Sequence, residues 1–366
     1  MNDFRPGLEG VVAFQTEIAE PDKEGNALRY RGVDIEELVG RVPYERVWGL
    51  LVDDCFDPGM PNPEPYRLER HTGRPMGDLQ MGTAIFAGEW GLGQLIDITA
   101  EQARDDLARL SATMISVVAQ SARGPDRPPV PDEEVERCDT AAEQFLVRWR
   151  DETNERHVRA IDSYWVSAAE HGLNASTFTA RVVASTGADC AAAMSSAVGA
   201  LSGPLHGGAP TRVLRMLDEV AASGDTERYV KGLLDRGERL MGFGHRVYRA
   251  EDPRARLLRR TAKELGSPRF EVAEDLERVA LAELKARKPD RVLATNVEFW
   301  SAVVLDVAEI PPDLYPAMFA CARVAGWSAH IVEEKQTGRL IRPSAQYIGP
   351  PSRPASGVRG RAPVPS

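Results

Sequence analysis

Apolar residues recur at spacings of three and four along most of this chain, and each such run predicts a helix with one buried face. The clearest runs are Asp34 to Leu51, Ala100 to Gln120, Asp139 to Glu152, His157 to Ala169, Thr211 to Ala222, Arg254 to Leu265 and Asp313 to Glu334. The opening differs. Val11 to Ile18 and Ala27 to Tyr30 alternate around a Pro21-Asp22-Lys23-Glu24-Gly25 turn, which predicts a short β-hairpin. Strand-like runs between the helices are few, so a repeated strand-helix parallel sheet is disfavoured and the expected fold class is all-α. Two segments, Ser121 to Glu134 and the tail from Gly349 to Ser366, are rich in Pro and charge or in Pro, Gly, Ser and Arg, and read as poorly ordered.

Composition then narrows the class. A chain of 366 residues exceeds what one hydrophobic core usually serves, so two lobes are expected. Its 43% hydrophobic and 27% charged content is that of an ordinary globular protein. No apolar run approaches the roughly 20 residues that span a bilayer. The start, MNDFRPGLEGVVAF, lacks a basic region followed by an apolar core, so a cytoplasmic location is expected. Cys55, Cys138, Cys190 and Cys321 are scattered without a CxxC pair, which predicts reduced, mostly buried thiols and neither disulfides nor zinc. A net charge of -10 argues against a nucleic-acid surface, and an acidic protein that binds anions must gather its cations locally.

Two of the six histidines sit among glycines, which let a backbone bend sharply and approach a ligand. One is His206 in Ser202-Gly203-Pro204-Leu205-His206-Gly207-Gly208-Ala209-Pro210, just ahead of a predicted helix with a stripe of Val213, Met216, Leu217 and Val220. The other is His245 in Met241-Gly242-Phe243-Gly244-His245-Arg246-Val247-Tyr248-Arg249. Downstream, Asp252 fits an N-cap and Pro253 a first helical position, which puts Arg254 and Arg256 in a first turn. Cations are disfavoured there, so something anionic should compensate them: a bound carboxylate or phosphate, or a protein carboxylate such as Glu251. Asn296-Val297-Glu298-Phe299-Trp300-Ser301 places a carboxylate among apolar neighbours, a setting that raises its basicity. Arg323 and Arg342 keep similarly apolar company.

Taken in order, HGLNAST from His171, GPLHGGA around His206, GFGHRVYRAEDPRA around His245, NVEFWS around Glu298 and LIRP at Arg342 resemble the citrate synthase family. The likeness runs through the carboxy-terminal half and extends to the GLEGVV to LRYRGVDIEEL opening. It implies a helical large domain, residues 1–207 and 310–366, interrupted by a small helical domain at 208–309. The cleft between them would close over substrate. By the same resemblance Glu298 removes a proton from the acyl-CoA methyl group, His206 stabilises the resulting enolate, and His245 protonates the ketone of oxaloacetate. His171, Arg254, Arg323 and Arg342 would bind oxaloacetate, the last from a neighbouring subunit, which implies a homodimer with shared sites. Gly242, Phe243, Gly244 and Arg249 would lie against CoA. The CoA thioester is a substrate, and no metal or permanently bound cofactor is implied.

Three positions depart from the family pattern. Glu298 stands where the family has aspartate, Ala302 where the common motif has glycine, and Trp300 where tyrosine or histidine is usual. One extra methylene shifts a carboxylate by about 1.5 Å, and a misplacement of that order can cost around a hundredfold in rate. The implied reaction makes citrate from acetyl-CoA. A 2-methylcitrate synthase using propionyl-CoA shares every motif, because one methylene is worth only about 1 to 3 kcal/mol. A non-catalytic dimer that binds CoA or dicarboxylate is the alternative from another class.

Overall fold

In the computed structural model the described residues are 4–22, 27–206, 210–244, 251–290, 293–355 and 358. A small antiparallel sheet opens the chain, with strands β1 (Ala19–Asp22), β2 (Ala27–Tyr30) and β3 (Val33–Asp34) in that order. Ala19 faces Tyr30 and Asp22 faces Ala27. The first strand therefore lies at Ala19–Asp22, and Val11 to Ile18, which the alternation assigned to it, belongs to no strand among the described residues. Pro21 is tolerated because β1 is an edge strand that needs no donor at that position.

Fourteen α-helices follow among the described residues. The first eight are α1 (Tyr44–Asp53), α2 (Pro75–Glu89), α3 (Ala100–Arg123), α4 (Asp132–Val135), α5 (Ala141–Arg150), α6 (Glu155–Ala168), α7 (Ala175–Ser185) and α8 (Cys190–Leu201). The next five are α9 (Pro210–Ser223), α10 (Thr226–Asp235), α11 (Pro253–Glu264), α12 (Phe270–Arg287) and α13 (Val297–Val307). The last, α14 (Tyr315–Thr337), is buried nearly all round and packs against α1, α3, α6, α7 and α8. Helices α9 to α13 pack chiefly on one another and meet the remainder mainly along α6. The fold is all-α, as the periodicity predicts.

Local chemistry explains the boundaries. Thr99 and Gln102 form a reciprocal capping box at the start of α3, and Asn154, Asn174, Asp252 and Asn296 cap α6, α7, α11 and α13. The continuous helix expected over Asp34 to Leu51 is broken. Gly40 has a φ of 72° and Pro43 caps α1 in an extended conformation, so only a short 3-10 turn at Ile35–Glu37 precedes it. Ser121 to Glu134 is also more ordered than its composition suggests. Helix α3 runs on to Arg123, whose guanidinium bonds the Pro128 and Trp149 carbonyls, and Val130 and Val135 are buried against Val147. Residues 338–354 contain neither helix nor strand. Cys190 and Cys321 are buried, Cys138 is half-buried and Cys55 is exposed, all as free thiols. No helix of the described residues is long and apolar enough to cross a membrane.

Candidate active site

Helices α6, α7, α11, α13 and α14 surround a cavity of about 160 Å³. Five residues singled out from the sequence line it: His171, His206, Arg254, Glu298 and Arg323. They come from stretches as distant as the α6–α7 connection and the middle of α14. Its volume lies below the roughly 300 Å³ at which sites for drug-sized ligands begin, and suits a small acid.

His206 stands four residues ahead of α9, whose stripe of Val213, Met216, Leu217 and Val220 is buried as the spacing predicts. The imidazole Nε2 lies 2.9 Å from the Ser176 hydroxyl and accepts the Ser176 N–H at 3.4 Å. An accepting Nε2 leaves the ring proton on Nδ1. Burial, reinforced by the nearby Arg323 cation, pulls its pKa down to about 4. The ring is therefore a neutral hydrogen-bond donor. Ser176 is itself fixed by Trp327 Nε1, which donates to its hydroxyl at 3.1 Å.

Glu298 lies in the first turn of α13, where the Asn296 side chain accepts its backbone N–H at 3.1 Å. Burial pushes its carboxyl pKa up, opposed by Arg254 and assisted by Asp252. The basicity expected of this carboxylate is thus present. Trp300 does not line the cavity: it is buried against α12, with Nε1 donating to Glu277 at 2.9 Å. Ala302 is buried as well, and its carbonyl accepts the Tyr315 hydroxyl. The two bulkier departures from the family pattern therefore face the core.

Asp252 is the N-cap of α11 and holds the first turns of two helices together. It accepts the Arg254 N–H at 3.0 Å, binds that guanidinium through both oxygens at 3.0 and 2.8 Å, and accepts Val297 N–H at 3.1 Å. The anionic compensation predicted for this first turn is thus supplied by protein carboxylates, with Arg256 paired to Glu36 and Glu251. Arg254 still lines the cavity. Arg323 is 2% exposed, donates Nε–H to the Ala168 carbonyl at 3.0 Å and lies 4.9 Å over the Phe319 ring. Burial pulls its pKa down, and Glu170 opposes that fall.

The Gly242-Phe243-Gly244 segment is tied to the residues that launch α13. Phe243 pairs with Thr295, Gly244 N–H donates to Ala294 at 2.7 Å, and Asn296 N–H donates to Gly242 at 2.9 Å. Gly242 has a φ of 86°, and a side chain there would meet Phe299 at 2.7 Å, so glycine is required. His245 and Arg249 lie outside the described residues. Arg342 is not brought to the cavity within one chain. It lines a separate groove of about 540 Å³ with Leu8, Phe14 and Arg181. Sequence reasoning missed Tyr164, Ala168, Asn174, Val297, Ser301 and Phe319, which complete the lining. Asn174 and Ser176 belong to the HGLNAST motif, so that motif carried more of the site than His171.

Comparison with known proteins agrees with this fold. The family model described as "Citrate synthase, C-terminal domain" matches residues 7–64 and 64–344. A Mycobacterium tuberculosis protein named "Putative citrate synthase 2" is 60% identical over 359 residues, covering 98% of this chain and 96% of its own. The Haloferax volcanii citrate synthase is 37% identical over 375 residues, covering 95% and 96%. Among solved structures, the ternary complex of Thermoplasma acidophilum citrate synthase with carboxymethyl coenzyme A and oxaloacetate superposes with a TM-score of 0.82. That match has 26% identity and covers 97% of this chain and 99% of the other. The fold and cavity thus define a helical acyl-transferring enzyme. The chain belongs to the citrate synthase family. Members of this family act on oxaloacetate and an acyl-CoA substrate and need no permanently bound cofactor.

Proposed function

We propose that this enzyme condenses acetyl-CoA with oxaloacetate and hydrolyses the thioester to give citrate and CoA. The observation that carries the reading is the convergence of a neutral imidazole, a carboxylate of raised basicity and two guanidinium groups on one small cavity. Glu298 takes a proton from the acetyl methyl group, and the His206 Nδ1–H donates to the thioester oxygen as negative charge develops there. A neutral donor suits this step, since its pKa lies closer to that of the enol than an imidazolium's would. The enolate carbon attacks the ketone of oxaloacetate, whose oxygen is protonated by His245. Water then cleaves the citryl thioester, releasing CoA.

Arg323, Arg254 and His171 hold the carboxylates of oxaloacetate, and Arg342 reaches the site of the other protomer in a homodimer. The placement of Arg342 away from its own chain's cavity supports that exchange. Gly242, Phe243, Gly244 and Arg249 lie along CoA. Residues 208–309 form the smaller lobe, which closes on the larger and excludes water from the enolate. The packing of α9 to α13 on one another supports this division.

Release of the CoA thiol, followed with and without oxaloacetate, tests the reading. Release should require oxaloacetate, and kcat/KM should favour acetyl-CoA over propionyl-CoA by about tenfold or more. A preference for propionyl-CoA would move the assignment to 2-methylcitrate synthase. No release from folded protein with either ester would favour a binding protein.

A further inference from the structure

Behind the cavity wall, outside the groups assigned above, runs a chain of buried charges. Arg181 on α7 and His330 on α14 are each 1% exposed, and Glu170, just after α6, is 0% exposed. Arg181 Nη1 lies 3.0 Å from His330 Nδ1. A guanidinium has only donors, so Nδ1 must accept, and the imidazole proton is forced onto Nε2. That nitrogen is buried without a hydrogen-bond partner among the described residues, and the nearest carboxylate oxygen is Glu170 Oε1 at 3.5 Å. The same oxygen accepts the backbone N–H of His171 at 2.8 Å.

Arg181 is clamped so that it cannot turn away. Its Nε and Nη2 each lie 2.9 Å from Glu334 Oε2, and its Nη1 lies 2.5 Å from Glu333. The Phe14 ring covers its other side at 4.3 Å. Glu333 is in turn held by the Thr16 hydroxyl and the Glu17 N–H. At the other end Glu170 is wedged against α14, where Gly326 has no room for a side chain because Glu170 and the Ala169 carbonyl press upon it. Burial pushes the Glu170 carboxyl pKa up, and the Arg323 cation and the His171 amide act against it.

We infer that Glu170, aligned by the Nε2–H tautomer that Arg181 imposes on His330, is a positioning residue of the oxaloacetate subsite. It sets the His171 backbone through the hydrogen bond that its carboxylate accepts from that amide. This assignment rests on the reading of His171 and Arg323 as dicarboxylate ligands.

Two substitutions separate the tautomer from mere packing. In His330→Asn the amide oxygen can still accept from Arg181, but no donor reaches Glu170. In His330→Gln the longer side chain restores a donor near the Nε2 position. The expected result is a rise of about tenfold in the KM for oxaloacetate in His330→Asn, the scale of one interaction with a buried charge. Both kcat and the KM for acyl-CoA should stay within about twofold, and His330→Gln should recover most of the loss. Equal effects in the two variants, or a change shared with acyl-CoA, would overturn the assignment. Nitrogen NMR of histidine-labelled wild-type enzyme gives a readout independent of variant folding, with only six histidines to resolve. It should show His330 neutral and protonated on Nε2, and an Nδ1–H ring or an imidazolium contradicts the proposal. A wild-type enzyme that ignores oxaloacetate would overturn the functional reading and this assignment together. Indifferent His330 variants in an active enzyme would overturn this assignment alone.

Discussion

Two guanidinium groups in this enzyme are almost equally buried and very differently served. Arg181, 1% exposed, is bonded to two carboxylates and an imidazole. Arg323, 2% exposed, has one hydrogen bond among the described residues, from Nε to a carbonyl, and faces a cavity. A buried cation left short of partners is costly, and the cost persists only where a ligand is to supply the missing anion. Degree of satisfaction, rather than burial, therefore distinguishes the arginine proposed to bind oxaloacetate from the structural one. The same contrast separates Glu334, whose Oε2 lies 2.9 Å from both Nε and Nη2 of Arg181, from Glu298, whose carboxylate accepts no hydrogen bond among the described residues.

The largest effect expected from this contrast is on Glu298. Glu298→Gln should lower kcat by about a thousandfold, within the range for loss of a general base, with little change in the KM for oxaloacetate. Next comes Arg323→Gln, which should reduce kcat/KM for oxaloacetate by about a hundredfold to a thousandfold without lowering the thermal midpoint. A clear loss of stability there would break the contrast. Arg181→Met should do the opposite, destabilising the fold by about 3 to 5 kcal/mol as the buried Glu334 and the half-buried Glu333 lose their partner. Thermal or denaturant unfolding of the two arginine variants side by side reads the difference.

The smallest effects are in pH dependence. Because burial raises the Glu298 pKa, the folded state favours its neutral form. The resulting stability is full below the unfolded pKa and is lost as pH rises through the folded value. Glu298→Gln should therefore raise the thermal midpoint near neutral pH, and the gain should vanish below about pH 4. In the wild type, kcat should climb with pH as Glu298 ionises. His206, with its pKa near 4, should add no titration of its own between about pH 5 and 8.

Much of this was legible in the chain. Long amphipathic runs gave α3, α5, α6, α9, α11 and α14 within a few residues. Helix α8 carries almost uniformly small and apolar residues, so no periodic face marks it. Val11 to Ile18 alternates like a strand but finds no partner strand among the described residues, which only tertiary placement decides. At the site, the glycine-flanked His206 and the first-turn Arg254 were visible because each breaks a local rule. Glu170 and His330 break none. Their importance lies in burial and in the direction of hydrogen bonds between distant segments, which spacing does not encode. Asp252 was legible as a cap but not as the clasp between α11 and α13.

A crystal structure with oxaloacetate and a CoA analogue tests the central claim most directly. One oxaloacetate carboxylate should fill the open donors of Arg323, and a Glu298 oxygen should lie about 3 to 3.5 Å from the acyl methyl position. Oxaloacetate bound elsewhere, with the Arg323 guanidinium still facing an empty cavity, would contradict it.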